Sequence, residues 1–450
     1  MEAREANLVG KSNLHHLELS WGLDSEFEPR ENVEKIFEAL KPHPNIESLM
    51  IEGYKGVKFP VWMNNQILSN VVSITLSQCE NCLQLPPSWQ LPYLRHLTIS
   101  ELIHLEYIDT SFQGDKMMSK FPSLEELYIY QLPRLQRLSR QDGMESFPCL
   151  TKLQICQCPE LTLPCLPLAK TLVIYGCGEK LLRSILNFRS LTHLYVDSIH
   201  DSIYLPHGIV QTLTSLHEMR IIKFRKFKGF PTELVSLSTL KSLHIDLCPD
   251  FEAFPEQVLE GLTSLQLLDV RECRKFSTLS EGLQHLSALK CLVLNGCPEL
   301  VALPDGIRYL SSLRELIISG KPTASYGQRK TTICREMIVS LFSDKESDCC
   351  PKLAVLPETL WRVPALQSLS IRCYPELASL PHWLGDLTSL QSLQIFDCPK
   401  LSTLPPSIQS LSNLQNLQIS QCPELVKQCH KETGEDGYKI VHVPNIDVEA

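Results

Sequence analysis

Leu289-Lys290-Cys291-Leu292-Val293-Leu294-Asn295-Gly296-Cys297-Pro298-Glu299-Leu300, continued by Leu303-Pro304, Ile307 and Leu310, is the cleanest copy of a pattern that returns along the whole chain. Leu292 and Leu294 are two apart and point to the same side of a short extended segment, while the residue between them faces the other way. The later apolar residues fall three apart, a helical spacing, behind a proline suited to the first position of a helical turn. A strand followed by a short turn, repeated many times, describes a stack whose units bury their apolar faces against their neighbours.

Taking the first apolar position of each copy gives Leu14, Ile46, Val71, Leu94, Leu124, Leu150, Ala169, Leu191, Leu216, Leu240, Leu265, Leu289, Leu313, Leu366, Leu390 and Leu414, sixteen units in all. From Leu191 to Leu313 the steps are 24 or 25 residues. The step from Leu313 to Leu366 is 53, one unit plus 29 residues, and the tail of that unit reappears at Leu353 and Leu356-Pro357. An insertion therefore falls at 321–350, inside the thirteenth unit. Its polar, Lys/Ser/Thr-rich composition predicts a mobile segment looped out from the convex or lateral side. In the long first unit, Val33, Ile36, Phe37 and Leu40 carry helical spacing over 31–41.

A period of roughly 20–29 residues carrying L-x-x-L-x-L-x-x-N/C-x-L is the signature of leucine-rich repeats. The expected fold is an α/β repeat solenoid, a leucine-rich-repeat horseshoe with a concave parallel β-sheet. Short helical or 3-10 turns are expected on the convex side, because 24 residues leave little room for a full helix. Residues 1–425 are expected to form the solenoid and 426–450 a C-terminal cap.

Composition excludes several function classes. The 42 Lys+Arg against 51 Asp+Glu give a formal net charge of −9, so no basic field calls for nucleic acid. No run of about 18 apolar residues occurs, so membrane insertion is not expected. The opening MEAREANLVGK lacks the apolar core of a secretory signal, and no Asn-x-Ser/Thr acceptor is present. Of the 18 cysteines, Cys79, Cys158, Cys177, Cys248, Cys273, Cys297, Cys398 and Cys422 share one repeat position, eight residues after the first apolar residue. A column of buried, reduced thiols fits a cytoplasmic compartment, and a nuclear or peripheral-membrane pool does not conflict with it.

The register also predicts which strand residues face solvent on the concave side. Glu126, Tyr128, Tyr130, Gln154, Val173, Tyr175, His193, Tyr195 and Asp197 form an aromatic strip there, the composition of a protein-interface hot spot. Other units offer Ser368, Ser370, Ser392, Gln394, Asn416 and Gln418, a polar strip without anchors. Lys223-Phe224-Arg225-Lys226-Phe227-Lys228-Gly229-Phe230 imitates a nucleic-acid patch, but the register puts all three phenylalanines in the core. Lys223, Arg225, Lys226 and Lys228 then remain as an outward basic cluster suited to an acidic protein surface. The Cys79-x-x-Cys82 pair lacks the second pair or histidines a metal site needs. Glycine-rich phosphate cradles are absent, and no spacing suggests a nucleophile with its base. Neither catalysis nor a cofactor is expected.

The units reading L-x-x-L-x-I-x-x-C-P-x-L-x-x-L-P resemble the repeat region of plant intracellular disease-resistance proteins of the coiled-coil nucleotide-binding (NLR) type. Ala6-Asn7-Leu8 with Leu14-His15-His16-Leu17-Glu18-Leu19-Ser20-Trp21 is similar to their early repeats. So are Lys41-Pro42-His43-Pro44-Asn45, Gly53-Tyr54-Lys55-Gly56 and Phe59-Pro60-Val61-Trp62-Met63. Cys422-Pro423-Glu424-Leu425, Cys429, Gly434-Glu435-Asp436, Lys439-Ile440 and His442-Val443-Pro444 look like their closing cap, although Gly437-Tyr438 stands where the family has Trp. The family's signalling coiled coil and NB-ARC domain are expected to be lacking from a chain opening at Met1. The resemblance implies recognition of a pathogen effector or guarded host protein, and restraint of an NB-ARC switch in cis or trans. The alternative weighed is a substrate adaptor of a ubiquitin ligase, which needs an adaptor-binding helix that Leu14 leaves no room for.

Overall fold

The computed structural model describes residues 5–22, 30–63, 67–86, 91–109, 121–139, 147–199, 202–206, 208–231, 237–319, 356, 358–429 and 434–449. The insertion expected at 321–350 lies outside the described residues. The chain divides into two compact units, Met1–Leu216 and His217–Ala450.

The first unit holds β1 (His16–Ser20), β2 (Ser48–Glu52), β3 (Ser73–Ser77), β4 (His96–Ser100), β5 (Tyr107–Asp109), β6 (Glu126–Tyr130), β7 (Arg137–Ser139), β8 (Lys152–Cys156), β9 (Thr171–Tyr175) and β10 (His193–Asp197). Eight of them make one parallel ladder in the order β1-β2-β3-β4-β6-β8-β9-β10. The three-residue strands β5 and β7 pair with each other instead. In the second unit β11 (Glu218–Ile222), β12 (Ser242–Asp246), β13 (Leu267–Arg271), β14 (Cys291–Asn295), β15 (Glu315–Ser319), β16 (Ser368–Arg372), β17 (Ser392–Phe396), β18 (Asn416–Ser420) and β19 (Asn445–Glu449) form a parallel ladder in chain order.

Every one of the sixteen expected strands is present, each opening two residues after its first apolar position. The seventeenth ladder strand, β19, lies within the segment expected as a cap. It follows the same rule from Val443, with Ile446 and Val448 at the inward positions.

Pleating sends alternate side chains into each unit: Leu49 and Ile51 of β2, or Leu292 and Leu294 of β14, are at most 1% exposed. Past each strand the chain must turn sharply. It does so through a left-handed residue, usually not glycine: Gln78, Glu101, Gln131, Gln157, Leu247, Glu272, Asp397 and Gln421 all have φ between 49° and 58°. The amide of that residue extends the ladder by one rung, as in Gln131 N to Cys156 O at 2.8 Å.

The next residue is the cysteine column, buried as expected. All eight thiols donate to the carbonyl two residues back, from Cys273 Sγ to Arg271 O at 3.1 Å to Cys297 Sγ to Asn295 O at 3.5 Å. Those carbonyls belong to the last residue of each strand, so the thiols cap the strand ends. All cysteines among the described residues are free thiols.

The apparent basic–aromatic motif resolves as the register predicts. Phe224, Phe227 and Phe230 are at most 4% exposed. They open a phenylalanine spine in the second unit: Phe227 stacks on Phe251 at 5.5 Å, Phe251 on Phe276 at 5.4 Å, and Phe230 on Phe254 at 5.8 Å.

Opposite the sheet of the second unit run short 3-10 turns, Glu281–His285, Asp305–Tyr309, Glu358–Arg362, His382–Asp386 and Pro406–Ser410. The prolines expected inside these turns stand just ahead of them: Pro304, Pro381 and Pro405 are caps in extended geometry. In the first unit a helix, α1 (Arg30–Ala39), occupies the stretch with helical spacing and buries Val33 and Phe37. Phe37 packs edge-on to Trp21, Tyr54 and Trp62 with ring centroids 4.7–5.5 Å apart. Glu34 and Glu38 of α1 accept the amides of Val57 and Val61, each at 3.0 Å, and fix the Gly56–Met63 loop against the helix.

Candidate functional site

Strand register gathers the expected aromatic residues on the sheet face of the first unit. The first face column runs His96, Glu126, Lys152, Thr171, His193. The middle one runs Thr98, Tyr128, Gln154, Val173, Tyr195, and the last Ser100, Tyr130, Cys156, Tyr175, Asp197. Tyrosines thus bracket shorter residues in the middle and last columns. Tyr130 and Tyr175 stand on either side of Cys156, roughly 10 Å apart across two strand spacings.

That bracketing corrects one expectation. Gln154 is 3% and Val173 8% exposed, although both were expected to face solvent. They do point to the sheet face, but the larger side chains beside them cover them. Glu126, Tyr128, Tyr130, Tyr175, His193, Tyr195 and Asp197 are partly exposed, as expected.

The northern corner of the strip is a charge-assisted network. Tyr128 Oη donates to Glu126 Oε2 at 2.6 Å and accepts from Lys152 Nζ at 2.8 Å, while His96 Nδ1 lies 3.4 Å from the same Glu126 oxygen. Burial pushes the Glu126 carboxyl up, but the Tyr128 hydrogen bond and the Lys152 and His96 charges outweigh it and hold the group below the ordinary range. For Tyr128, burial and the bond to Glu126 push the phenol up. Its hydroxyl is therefore committed within the network, and its ring is what it offers outward. Tyr195 has a ring neighbour in His193 at 6.4 Å.

The basic cluster sits in the second unit after β11. Arg225, Lys226 and Lys228 are exposed; Lys223 is half-buried and is itself the left-handed turn residue, with φ 49°. Cys79 and Cys82 are both fully buried. Cys82 Sγ donates to Gly56 O at 3.4 Å, so the pair has a packing role. Among the described residues no group of three or more His, Cys, Asp or Glu could hold a metal ion. No described helix is long and apolar enough to cross a membrane.

One constellation was not legible from spacing. Ser242 Oγ lies 2.8 Å from His244 Nε2, and His244 Nδ1 lies 3.1 Å from Asp269 Oδ2. His244 and Asp269 are 25 residues apart but directly paired across β12 and β13. Arg271 Nε also holds Asp269, at 2.7 Å. Burial raises the Asp269 carboxyl, and the His244 and Arg271 contacts overcome that and leave it below its ordinary value. The arrangement shares the donor order of a hydrolytic triad, but its carboxylate is divided between an imidazole and a guanidinium, which suits a charge network of the sheet face.

Comparisons with known proteins agree with this geometry. Residues 1–102 match the family described as R13L1/DRL21 LRRs, and residues 249–427 match the family described as leucine-rich repeat region. Disease resistance protein RGA2 of Solanum bulbocastanum is 38% identical over 243 residues, covering 52% of this chain and 23% of that protein. The match therefore spans under a quarter of that relative's length. A leucine-rich-repeat protein of Leptospira interrogans superposes with a TM-score of 0.52 at 21% identity, covering 98% of both chains. TLR13, from the crystal structure of a TLR13–ssRNA13 complex, superposes with a TM-score of 0.64 at 18% identity over 97% of this chain and 57% of its own. Both structures speak for the fold alone. The chain folds as a leucine-rich-repeat solenoid, and its repeats are similar to those of plant disease-resistance proteins.

Proposed function

We propose that this chain is a non-enzymatic protein-interaction module of plant innate immunity, located in the cytoplasm, that reads a pathogen effector or a guarded host protein. The observation that carries the reading is the tyrosine strip on the β6–β10 sheet face. Tyr130 and Tyr175 flank a buried cysteine, and Tyr128 and Tyr195 flank a buried glutamine and valine, so the rings stand proud of a floor already closed to water. Rigid aromatic side chains on a β-sheet present apolar area at low entropic cost, the usual make-up of a hot spot. The exposed Arg225, Lys226 and Lys228 give a second contact, toward an acidic partner surface. Where the chain forms part of a longer receptor, the same repeats would restrain an NB-ARC switch.

The test replaces Tyr128, Tyr130, Tyr175 and Tyr195 by Ala and measures capture of a co-precipitating partner beside circular dichroism. Loss of the partner with an unchanged spectrum supports the site, and retained binding removes it. Single replacements of true anchors should each cost about 2 kcal/mol or more, near thirtyfold in affinity.

A further inference from the structure

Two buried acceptor atoms stand without donors on the second unit, where β13 and β14 end. Asn295, the last residue of β14, is only 5% exposed, and its Oδ1 has no hydrogen-bond partner. Glu272, which follows β13, has a buried Oε1 that is likewise unpartnered. The two residues are neighbours: the Glu272 amide donates to Asn295 O at 2.8 Å. Gly296, next to Asn295, makes the space for the carboxylate, because a Cβ there would stand 2.2 Å from Glu272 Oε1.

The neighbouring Arg274 and Arg271 act on this carboxyl through their charge, and neither donates to its buried Oε1. Arg271 gives its Nε to Asp269 at 2.7 Å. Asp246, paired with Arg271 across β12 and β13, adds negative charge beside the carboxylate. Two buried acceptors without donors are costly, and the carboxylate among them favours a donor that carries positive charge. We propose that Glu272 and Asn295, with Asp246 beside them, form a binding site for the guanidinium of an arginine in a basic peptide segment of a partner protein. A planar fork of N–H donors fits a carboxylate and an amide oxygen better than an ammonium does.

The electrostatics supply an internal signature. Burial, then the Asp246 charge, push the Glu272 carboxyl up to about 7, against the lowering effect of Arg274 and Arg271. A site that needs the carboxylate should therefore fill as pH rises through neutrality.

The experiment titrates the full chain with a fluorescent, acetylated octa-arginine peptide, with octa-lysine as the comparison. Wild type should bind octa-arginine more tightly at pH 8 than at pH 6, and more tightly than octa-lysine. Glu272→Gln should lose about tenfold at pH 8 and flatten the pH profile. Gly296→Ala, which displaces the carboxylate without changing charge, should lose affinity as well. Glu18→Gln, a sheet-face carboxylate of the first unit, should bind as wild type, and so should the four-tyrosine variant. Unchanged binding by Glu272→Gln and Gly296→Ala, or an equal loss in Glu18→Gln, would overturn the proposal. Equal affinity for octa-lysine would overturn the guanidinium assignment.

Discussion

At the scale of single residues, the turn after each strand is the feature that most repays attention. It needs positive φ, yet glycine fills it only at Gly53, Gly176 and Gly296 among the described residues. An L-residue held left-handed costs roughly 1–2 kcal/mol, which the ladder hydrogen bond and the stacked neighbour must offset. Gln131 is exposed, has φ 54°, and contributes little beyond its backbone. Gln131→Gly should therefore raise stability by up to about 1 kcal/mol, read as a higher urea midpoint at unchanged slope. The converse holds at Gly53, φ 69°, where a Cβ would meet Trp21 O at 2.6 Å. Gly53→Ala should destabilise by more than Gln131→Gly stabilises, because strain and a backbone clash add. A lower midpoint for Gln131→Gly would show that the turn carries no strain at that position.

At the scale of elements, the phenylalanine spine offers the sharpest packing test. Phe251 is fully buried, stacked between Phe227 and Phe276 and edge-on to Phe254 at 5.0 Å. Phe251→Ala should cost about 3–5 kcal/mol and Phe251→Leu clearly less, as measured by chemical denaturation with tyrosine or tryptophan fluorescence. Similar losses for both variants would mean that stacking geometry, not volume, governs the site. The strands and this spine were legible because a residue's position in its own repeat decides its burial. Phe224, Phe227 and Phe230 needed nothing but the register of Cys297, Leu300 and Leu303 to be placed in the core. What escaped depended on neighbouring repeats. The burial of Gln154 and Val173 follows from tyrosines one strand away, and the Ser242–His244–Asp269 network from a pairing across 25 residues. Strand β19 escaped for another reason: Val443, Ile446 and Val448 keep the strand spacing, but they stand in the stretch that the closing motifs marked as a cap.

At the scale of the whole molecule, a stack of repeats is stabilised by coupling between neighbours. Between β18 and β19 that coupling includes a buried ion pair that fastens the connecting segment to the repeats. Asp436 and Lys439 are 4% and 7% exposed and bonded to each other. Together they grip one residue of the preceding repeat: Leu404 N donates to Asp436 Oδ2 at 2.7 Å, and Lys439 Nζ donates to Leu404 O at 2.7 Å. Asp436→Ala leaves the ammonium buried without its counter-charge and the Leu404 amide without its acceptor, a loss of about 3–5 kcal/mol. The damage should be local. Hydrogen exchange should accelerate at Leu404 and along β18 and β19, while β11 to β14, several repeats away, keep their protection. Asp436→Asn combined with Lys439→Met removes both charges but keeps an oxygen for the Leu404 amide, so it should recover most of the loss. If the double variant exchanges as fast as Asp436→Ala, charge pairing itself holds the segment; if neither changes exchange at Leu404, the grip on the preceding repeat contributes nothing to the fold.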